Sequence, residues 1–513
     1  MGFLQKKIED IIVIGAGPCG AAFTKFLLAE GEFKNVKVLE KRSTTGGLWN
    51  YSEQFFDSPV PSIDPSISTN AAEVIDKDFF LQQQYINDVA HFSHETRIGK
   101  DYIWPSAVYD QLDTNVPKDI MAFKNTPWPE NYSIFPERQQ VLKYFQEYSK
   151  IIEPYIEFGR RVIDVKQLPN SKWAVTSRPV VKETEAGFKQ SNLKEFQDRI
   201  EFCDAVVVAT GYYDVPFLPE KPGLQEWINK FPGSVIHAVS YRSPKQFSKN
   251  ENILVVGNSA SGGDLAFQLA TNLNKKIYKS FRSESNIPAG KHEKIINVPD
   301  IKKFNYKSAE IEFVDGSSIA NINKIIFATG YLKSLPFFKE INNSSNPLIT
   351  DGQRVHGLYR QLLSYNYAGL AIAALPRLVL PTRLAETQGS WVAKVWSGKI
   401  PIPSRQEMLE WEQNRVKQMG NDKKFHDLAY PDDIIYSNEL NNEIKIAKTN
   451  CNLYPVEWDE EQIRIKAAIK EIKDCYVDYR VRTGYSTKSI KELQDKNGLI
   501  LPEIDWKIFD KKL

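Results

Sequence analysis

The sequence predicts an α/β protein in which one strand–loop–helix unit is inserted within another, followed by a helical C-terminal extension. Three observations carry this. A β-branched run breaks into glycine-rich sequence at residues 10–20, DIIVIGAGPCG, and a close variant returns at 251–264, ENILVVGNSASGGD. Two near-copies of one element, DAVVVATGYYDVPFLP (204–219) and NKIIFATGYLKSLPFF (323–338), flank that second break.

In the first unit, Ile11 to Ile14 form the continuous apolar run of a strand buried on both faces of a parallel sheet. Gly15, Ala16, Gly17, Pro18, Cys19 and Gly20 then supply G-x-G-x-x-G, and AAFTKFLLAEG continues with helical apolar spacing. Gly15 allows the tight turn, Gly17 lets backbone approach a pyrophosphate, and Gly20 permits close helix–strand packing. The helix N-terminus turns its free N–H groups toward the phosphate charge.

The next strand, VKVLEK (36–41), ends at Glu40 and Lys41, with Glu40 20 residues past Gly20. A carboxylate there accepts ribose hydroxyls and repels a 2′-phosphate, which selects FAD or NAD over NADP. In EKRSTTGGLWN (40–50), Gly46 and Gly47 allow a second close backbone approach, while Leu48 and Trp49 can wall a flat ring. Trp49 also reads as a core aromatic.

The second unit repeats the pattern with Gly257, Ser259 and Gly262 at the three glycine positions. The Ser259 hydroxyl can donate to phosphate, and Ser261 and Asp264 complete the expected contacts of this loop. The following segment, KKIYKSFRS, ends in Arg282 and Ser283, 20 residues past Gly262, where an arginine can pair with a 2′-phosphate. A solvated surface arginine is the other reading. The opposite charges of Glu40 and Arg282 indicate FAD at the first site and NADPH at the second.

The paired A-T-G-Y elements suit a chain that leaves one domain and returns to it, with Thr329 and Gly330 of the second copy expected at a cofactor. The expected fold is therefore two Rossmann-like dinucleotide-binding domains, the NADPH domain (216–331) nested in a discontinuous FAD domain (1–215 and 332–445). Residues 446–513 form the helical extension, whose role is unknown.

Bulk properties remove other classes. A net charge of +2 gives no electrostatic reason for a nucleic-acid partner. Cys19, Cys203, Cys451 and Cys475 form no CxxC pair, which argues against a disulfide framework, a zinc knuckle or a dithiol centre. The histidines show no metal spacing, so no metal is expected. No apolar run reaches the roughly 18 residues of a membrane span. Glu9 and Asp10 interrupt a signal-peptide reading of the start, and Lys6 stands where myristoylation wants Ser or Thr. The expected location is cytoplasmic, with peripheral attachment to an organelle surface left open.

One further stretch is more specific than any of these. FPGSVIHAVSY (231–241) matches F-x-G-x-x-x-H-x-x-x-[YF] through Phe231, Gly233, His237 and Tyr241. GGLW (46–49), SAVYDQLDTNVPKDIMAF (106–123), FVDGSSI with IIFATGY, and PTRLAETQGSWVAKVWSGKIPIPS (381–404) follow in matching order. Over roughly residues 8–445 the chain resembles the flavin-containing monooxygenases, class B flavoprotein monooxygenases.

That resemblance implies that NADPH reduces FAD and that the reduced flavin and O2 form a C4a-hydroperoxide. A small-molecule soft nucleophile, a thiol, sulfide or amine, then takes the distal oxygen. It implies Asn115 as the catalytic amide beside flavin and nicotinamide, Thr114 next to it, Gln388 among the cofactor contacts, and His237 as structural. Helix capping near Pro117 is the other role open to Asn115.

Three departures stand out. The Ser/Pro-rich tract at 57–70 lengthens the stretch between Trp49 and Asn115, and Ser259 with Ala260 replaces the Gly and Asn of many relatives. Residues beyond about 445 match no pattern that the resemblance supplies, and the helical spacing and mixed charge of DEEQIRIKAAIKEIKDCYVDYRVR (459–482) suit packing on the FAD domain or on a second subunit of a homodimer. The hydrophobic C-terminal anchor of some relatives is not found. Among rivals, a Baeyer–Villiger monooxygenase acting on ketones shares the loops but ends the histidine motif in Trp, where this chain has Tyr241. A pyridine nucleotide–disulfide reductase needs the missing cysteine pair. A non-catalytic nucleotide sensor would keep both sites without turnover.

Overall fold

A computed structural model describes residues 7–51, 106–180, 198–283, 292–448 and 451–511. The 57–70 tract lies outside the described residues.

The first glycine-loop strand, Asp10–Ile14, sits inside a seven-stranded sheet. Its parallel neighbours are Asn35–Glu40 on one side and Ala205–Val208 on the other. Ile156–Phe158 and Leu370–Ile372 extend the parallel set outward, and Leu363–Ser364 and Leu358–Tyr359 add an antiparallel edge. Burial of Ile11, Val13, Val207 and Ala371 on one face and Ile12, Ile14, Val206 and Ile372 on the other explains why these strands carry no polar alternation.

The second loop strand, Ile253–Val256, lies in an all-parallel five-stranded sheet between Ile277–Ser280 and Lys324–Phe327. Ile295–Val298 and Val235–His237 complete it. Each A-T-G-Y strand therefore runs beside its own glycine-loop strand. The passage out and back falls to a short antiparallel ribbon that follows each copy, Val215–Pro216 paired with Tyr331–Leu332.

The helix after the first loop, Pro18–Glu30, packs on the buried helix Pro381–Trp396. Their contact is close because Gly389 has no side chain: a Cβ there would meet Phe23 Cα at 2.9 Å. A buried ion pair, Lys394 Nζ to Glu30 Oε2 at 2.9 Å, fixes the far end.

Among the described residues the C-terminal extension carries three α-helices, where its spacing predicts helix, and a short 3-10 turn at Trp506–Phe509. Glu460–Ala467 starts at an Asp459 capping box and breaks at Ala468. Ile469–Thr483 and Ile490–Asn497 follow, each closed by a left-handed glycine, Gly484 and Gly498. Their apolar faces, including Ile465, Ile472, Tyr476 and Leu493, share a core with Ile120, Ile134, Phe135 and Leu380. The extension thus packs on the chain's own segment around 116–135. Among the described residues no helix is long and apolar enough to cross a membrane.

Candidate active site

The two glycine loops are built alike, bond for bond. Gly15 N–H donates to Leu39 O and Ala209 N–H to Ile14 O, each at 2.9 Å. In the second loop Gly257 N–H donates to Ser280 O at 2.9 Å and Ala328 N–H to Val256 O at 2.8 Å. Gly15 and Gly257 both take positive φ, +102° and +127°. Gly20 and Gly262 press on them so closely that a Cβ would lie 2.0 Å from Gly15 O and 2.2 Å from Gly257 O.

Gly17 is different. Its φ is −69°, and a Cβ would meet only the Gly47 backbone, Cα at 3.6 Å and N at 4.0 Å. Nothing within the described fold requires a glycine there. Neither helix start is capped by a side chain: Gly17 has none, and the exposed Ser259 makes no capping bond.

The first loop opens on a cavity of about 410 Å³. Gly15, Gly17, Pro18 and Cys19 line it with Glu40, Lys41, Gly47, Leu48 and Trp49. Ala16 and Gly20 are buried behind this surface. Glu40 turns inward: its Oε2 accepts Ala16 N–H at 2.7 Å and its Oε1 accepts Arg42 N–H at 2.8 Å. The carboxylate therefore shapes the loop from within. Lys41 and Arg42 feel its charge, Arg161 stands near Lys41, and desolvation lowers the pKa of all three, that of Arg161 to about 10. Trp49 meets both readings, packing edge-on against Phe145 with centroids 5.8 Å apart while forming part of the wall.

Asn115 sits between buried Thr114 and the cavity-lining Val116. Its side chain makes no hydrogen bond to any described residue. It caps nothing, since the short helix Lys118–Met121 takes Pro117 as its N-cap. Thr114 Oγ1 donates to Val116 O at 2.8 Å and holds the turn around it.

Gln388 is not on the cavity surface. It is fully buried, accepting Ala374 N–H at 2.9 Å and donating to Tyr436 Oη at 3.0 Å. It acts by holding Ala374, which does line the cavity.

At the second loop, Arg282 and Ser283 are exposed just beyond the strand that ends at Ser280. Ser283 O is held by Asn258 Nδ2 at 3.2 Å. Ser261 is exposed, whereas Asp264 accepts Tyr109 O–H and, at 2.9 Å, Gln268 Nε2. Burial, and then the negative charge of Asp113, push the Asp264 carboxyl up to about 6. Thr329 Oγ1 donates to Phe217 O. Gly330 O accepts His237 Nε2–H at 3.1 Å, and His237 Nδ1 accepts Val239 N–H at 3.1 Å. Both ring nitrogens are engaged, and burial lowers this imidazole to about 4. His237 is a neutral structural bracket.

Thr210 and Gly211, from the first A-T-G-Y copy, and the cations Arg42 and Arg161 also line the cavity, beyond the residues expected from sequence. The matched copies hold a signal for the first pair, which stand where Thr329 and Gly330 stand in the second. Among the described residues no cluster of His, Cys, Asp or Glu is placed to hold a metal ion.

Two glycine-loop helix starts are left uncapped, one facing an apolar-walled cavity and one beside an exposed arginine, and free N–H groups at both can take a negatively charged group. The sequence matches the flavin-binding monooxygenase-like family over residues 80–294 and 272–455, and the chain belongs to that family. It is 30% identical to flavin-containing monooxygenase FMO GS-OX3 of Arabidopsis thaliana, covering 78% of this chain and 76% of the relative. Among solved structures, S-allyl-L-cysteine S-oxygenase from Allium sativum superposes with a TM-score of 0.69 at 23% identity, covering 95% and 97% of the two chains. Tmm from Pelagibacter sp. strain HTCC7211 gives 0.64 at 22%, covering 92% and 91%. The chain is an FAD-dependent monooxygenase that uses FAD and NADPH.

Proposed function

We propose that this chain transfers one atom of dioxygen to a soft sulfur or nitrogen nucleophile in the cavity beside the first glycine loop. Residues 1–215 and 332–445 hold FAD, and 216–331 hold NADPH. Bound FAD, reduced by NADPH, supplies the oxygen-activating chemistry. The chain's own groups bind, orient and exclude water.

Gly17 and Gly47 leave room for the pyrophosphate, the uncapped helix start at Pro18 faces its charge, and Glu40 accepts ribose hydroxyls. Trp49, Leu48, Met121 and Phe145 wall the cavity against water. Asn115 Nδ2–H offers a hydrogen bond that does not titrate near neutral pH. Arg282 pairs with the 2′-phosphate of NADPH.

The observation that carries the substrate class is that the described cavity surface has no histidine and keeps its carboxylates at one end. Burial pushes the Cys19 thiol up to about 12, so it stays protonated. Glu40 and Asp214 stand with Lys41 and Arg161 at the nucleotide end. A substrate must therefore arrive already nucleophilic, as a sulfide, thiol or amine does. NADPH consumption measured with sulfides, thiols, amines and ketones, with peroxide titrated in parallel, tests this. Product from the soft nucleophiles supports the proposal, and turnover confined to ketones overturns it.

A further inference from the structure

Asp113, Thr114 and Asn115 form a loop gripped from both sides. On one side Asp113 pairs with Glu137 in an antiparallel bridge, Thr114 N–H donates to Pro136 O at 3.0 Å, and Lys118 N–H donates to Ile134 O at 2.8 Å. On the other side stands the helix Ile469–Thr483. Lys473 Nζ donates to Asp113 Oδ1 and to Thr114 O, both at 2.7 Å, and Arg480 Nη1 donates to Asp113 Oδ2 at 2.8 Å.

Lys473 is buried, and its ammonium lies 4.2 Å from the Phe135 ring centroid. Burial alone would raise the Asp113 carboxyl, and the Lys473 and Arg480 charges overcome this and hold it below the usual carboxylate value. The extension also grips the opposing segment, where Ile134 N–H donates to Thr487 O at 2.9 Å and Ser133 Oγ meets Tyr476 Oη at 3.0 Å. A buried cation bonded to a backbone carbonyl one residue before Asn115 sets where that amide stands.

We infer that Lys473, aided by Arg480, is a positioning residue for Asn115, which makes the C-terminal extension a working part of the oxygenation site. This rests on the role proposed for Asn115. The same segment reaches the second nucleotide unit, since Tyr109 bonds Asp264 and Gln111 O accepts Gln268 Nε2 at 3.1 Å. The extension thus holds the strip of chain that lies between the two cofactor loops. Displacements near an ångström at a reacting centre change rates about a hundred-fold, so a loosened clamp has a measurable cost.

The test uses the full-length, FAD-loaded enzyme carrying Lys473→Met, which keeps the apolar stem and removes the charge. Hydrogen exchange at the Thr114 and Lys118 amides should speed up by about ten-fold or more, while exchange in both glycine-loop helices stays at the wild-type rate. NADPH should reduce the flavin at the wild-type rate, and the share of NADPH lost as peroxide should rise several-fold. Lys473→Arg should restore part of the coupling.

Unchanged exchange and coupling in Lys473→Met would overturn the inference. So would exchange that accelerates across the whole protein with coupling intact, the mark of a purely structural residue. If Lys473→Met does not fold, Arg480→Gln decides: that side chain is 35% exposed and supplies one arm of the clamp. It should show the same local exchange and a smaller coupling loss, and wild-type behaviour would reject the assignment. Asn115→Ala separates the two claims. If it uncouples and the clamp variants do not, only this inference fails; if it couples normally, the role of Asn115 itself is wrong.

Discussion

Gly17 and Gly20 stand three residues apart in one loop, yet the structure assigns them opposite sensitivities. At Gly17 a Cβ finds ordinary contact, 3.6 Å to Gly47 Cα, with φ at −69°, which any residue accepts. Gly17→Val should therefore fold. Its isopropyl group would enter the cavity where backbone N–H groups meet the pyrophosphate. Losing one or two hydrogen bonds to a charged group costs about 3 kcal/mol, or a Kd raised about a hundred-fold. At Gly20 a Cβ would lie 2.0 Å from Gly15 O, so the loop must shift before FAD is considered. Gly20→Ala should lose about 3 kcal/mol of stability, at the upper end of overpacking costs. Circular dichroism and thermal melting of the FAD-free proteins, followed by fluorescence titration with FAD, separate the two effects. A Gly17→Val protein that binds FAD like wild type, or a Gly20→Ala protein that melts like it, would refute this reading of the loop.

Arg282→Ala should weaken NADPH binding by about 2 kcal/mol and NADH hardly at all, as a lost charge-assisted contact to the 2′-phosphate requires. Equal losses for both coenzymes would reject the contact. His237 is held neutral with a value of about 4 against an ordinary 6.5, so folding loses nothing to it above pH 6.5. As pH falls from 6.5 toward 4, the unfolded chain takes a proton the folded one refuses, costing up to about 3 kcal/mol. Asp264, raised to about 6, titrates in the opposite sense, so the readout is the difference between wild-type and His237→Gln stability profiles. A difference that is flat with pH would contradict the neutral bracket. Asn115→Ala should bind FAD and be reduced normally but send more NADPH to peroxide. One lost hydrogen bond to a charged oxygen is worth roughly 1.5–3 kcal/mol, or about ten- to a hundred-fold in partition. Stopped-flow flavin reduction and peroxide titration measure both halves.

Both glycine loops were legible in the sequence because local chemistry dictates them: a strand, a turn that demands positive φ, and a helix start. Glu40 was found by its spacing, but its grip on Ala16 N–H was not, since that bond depends on how the loop folds back over the strand end. The A-T-G-Y pair is visible as a repeat, but the ribbon that carries the chain across is not. Each copy pairs with its own loop strand, and the crossing ribbon needs just two residues a side, too short for a hydrophobic pattern. Gln388 came from motif order, which finds a helix but not which way a side chain faces. The Asp113–Lys473 pair spans 360 positions, and nothing in either local sequence marks the partner.

The proposed transfer of one oxygen atom from O2 to a soft nucleophile, at the expense of NADPH, is tested most directly by turnover under heavy-isotope dioxygen with NADPH and a panel of sulfides and amines, followed by mass spectrometry of the products. One labelled oxygen is expected in each product, with NADPH consumption that matches product plus peroxide. Label arriving from water, or NADPH consumed entirely to peroxide with every nucleophile, would contradict that transfer.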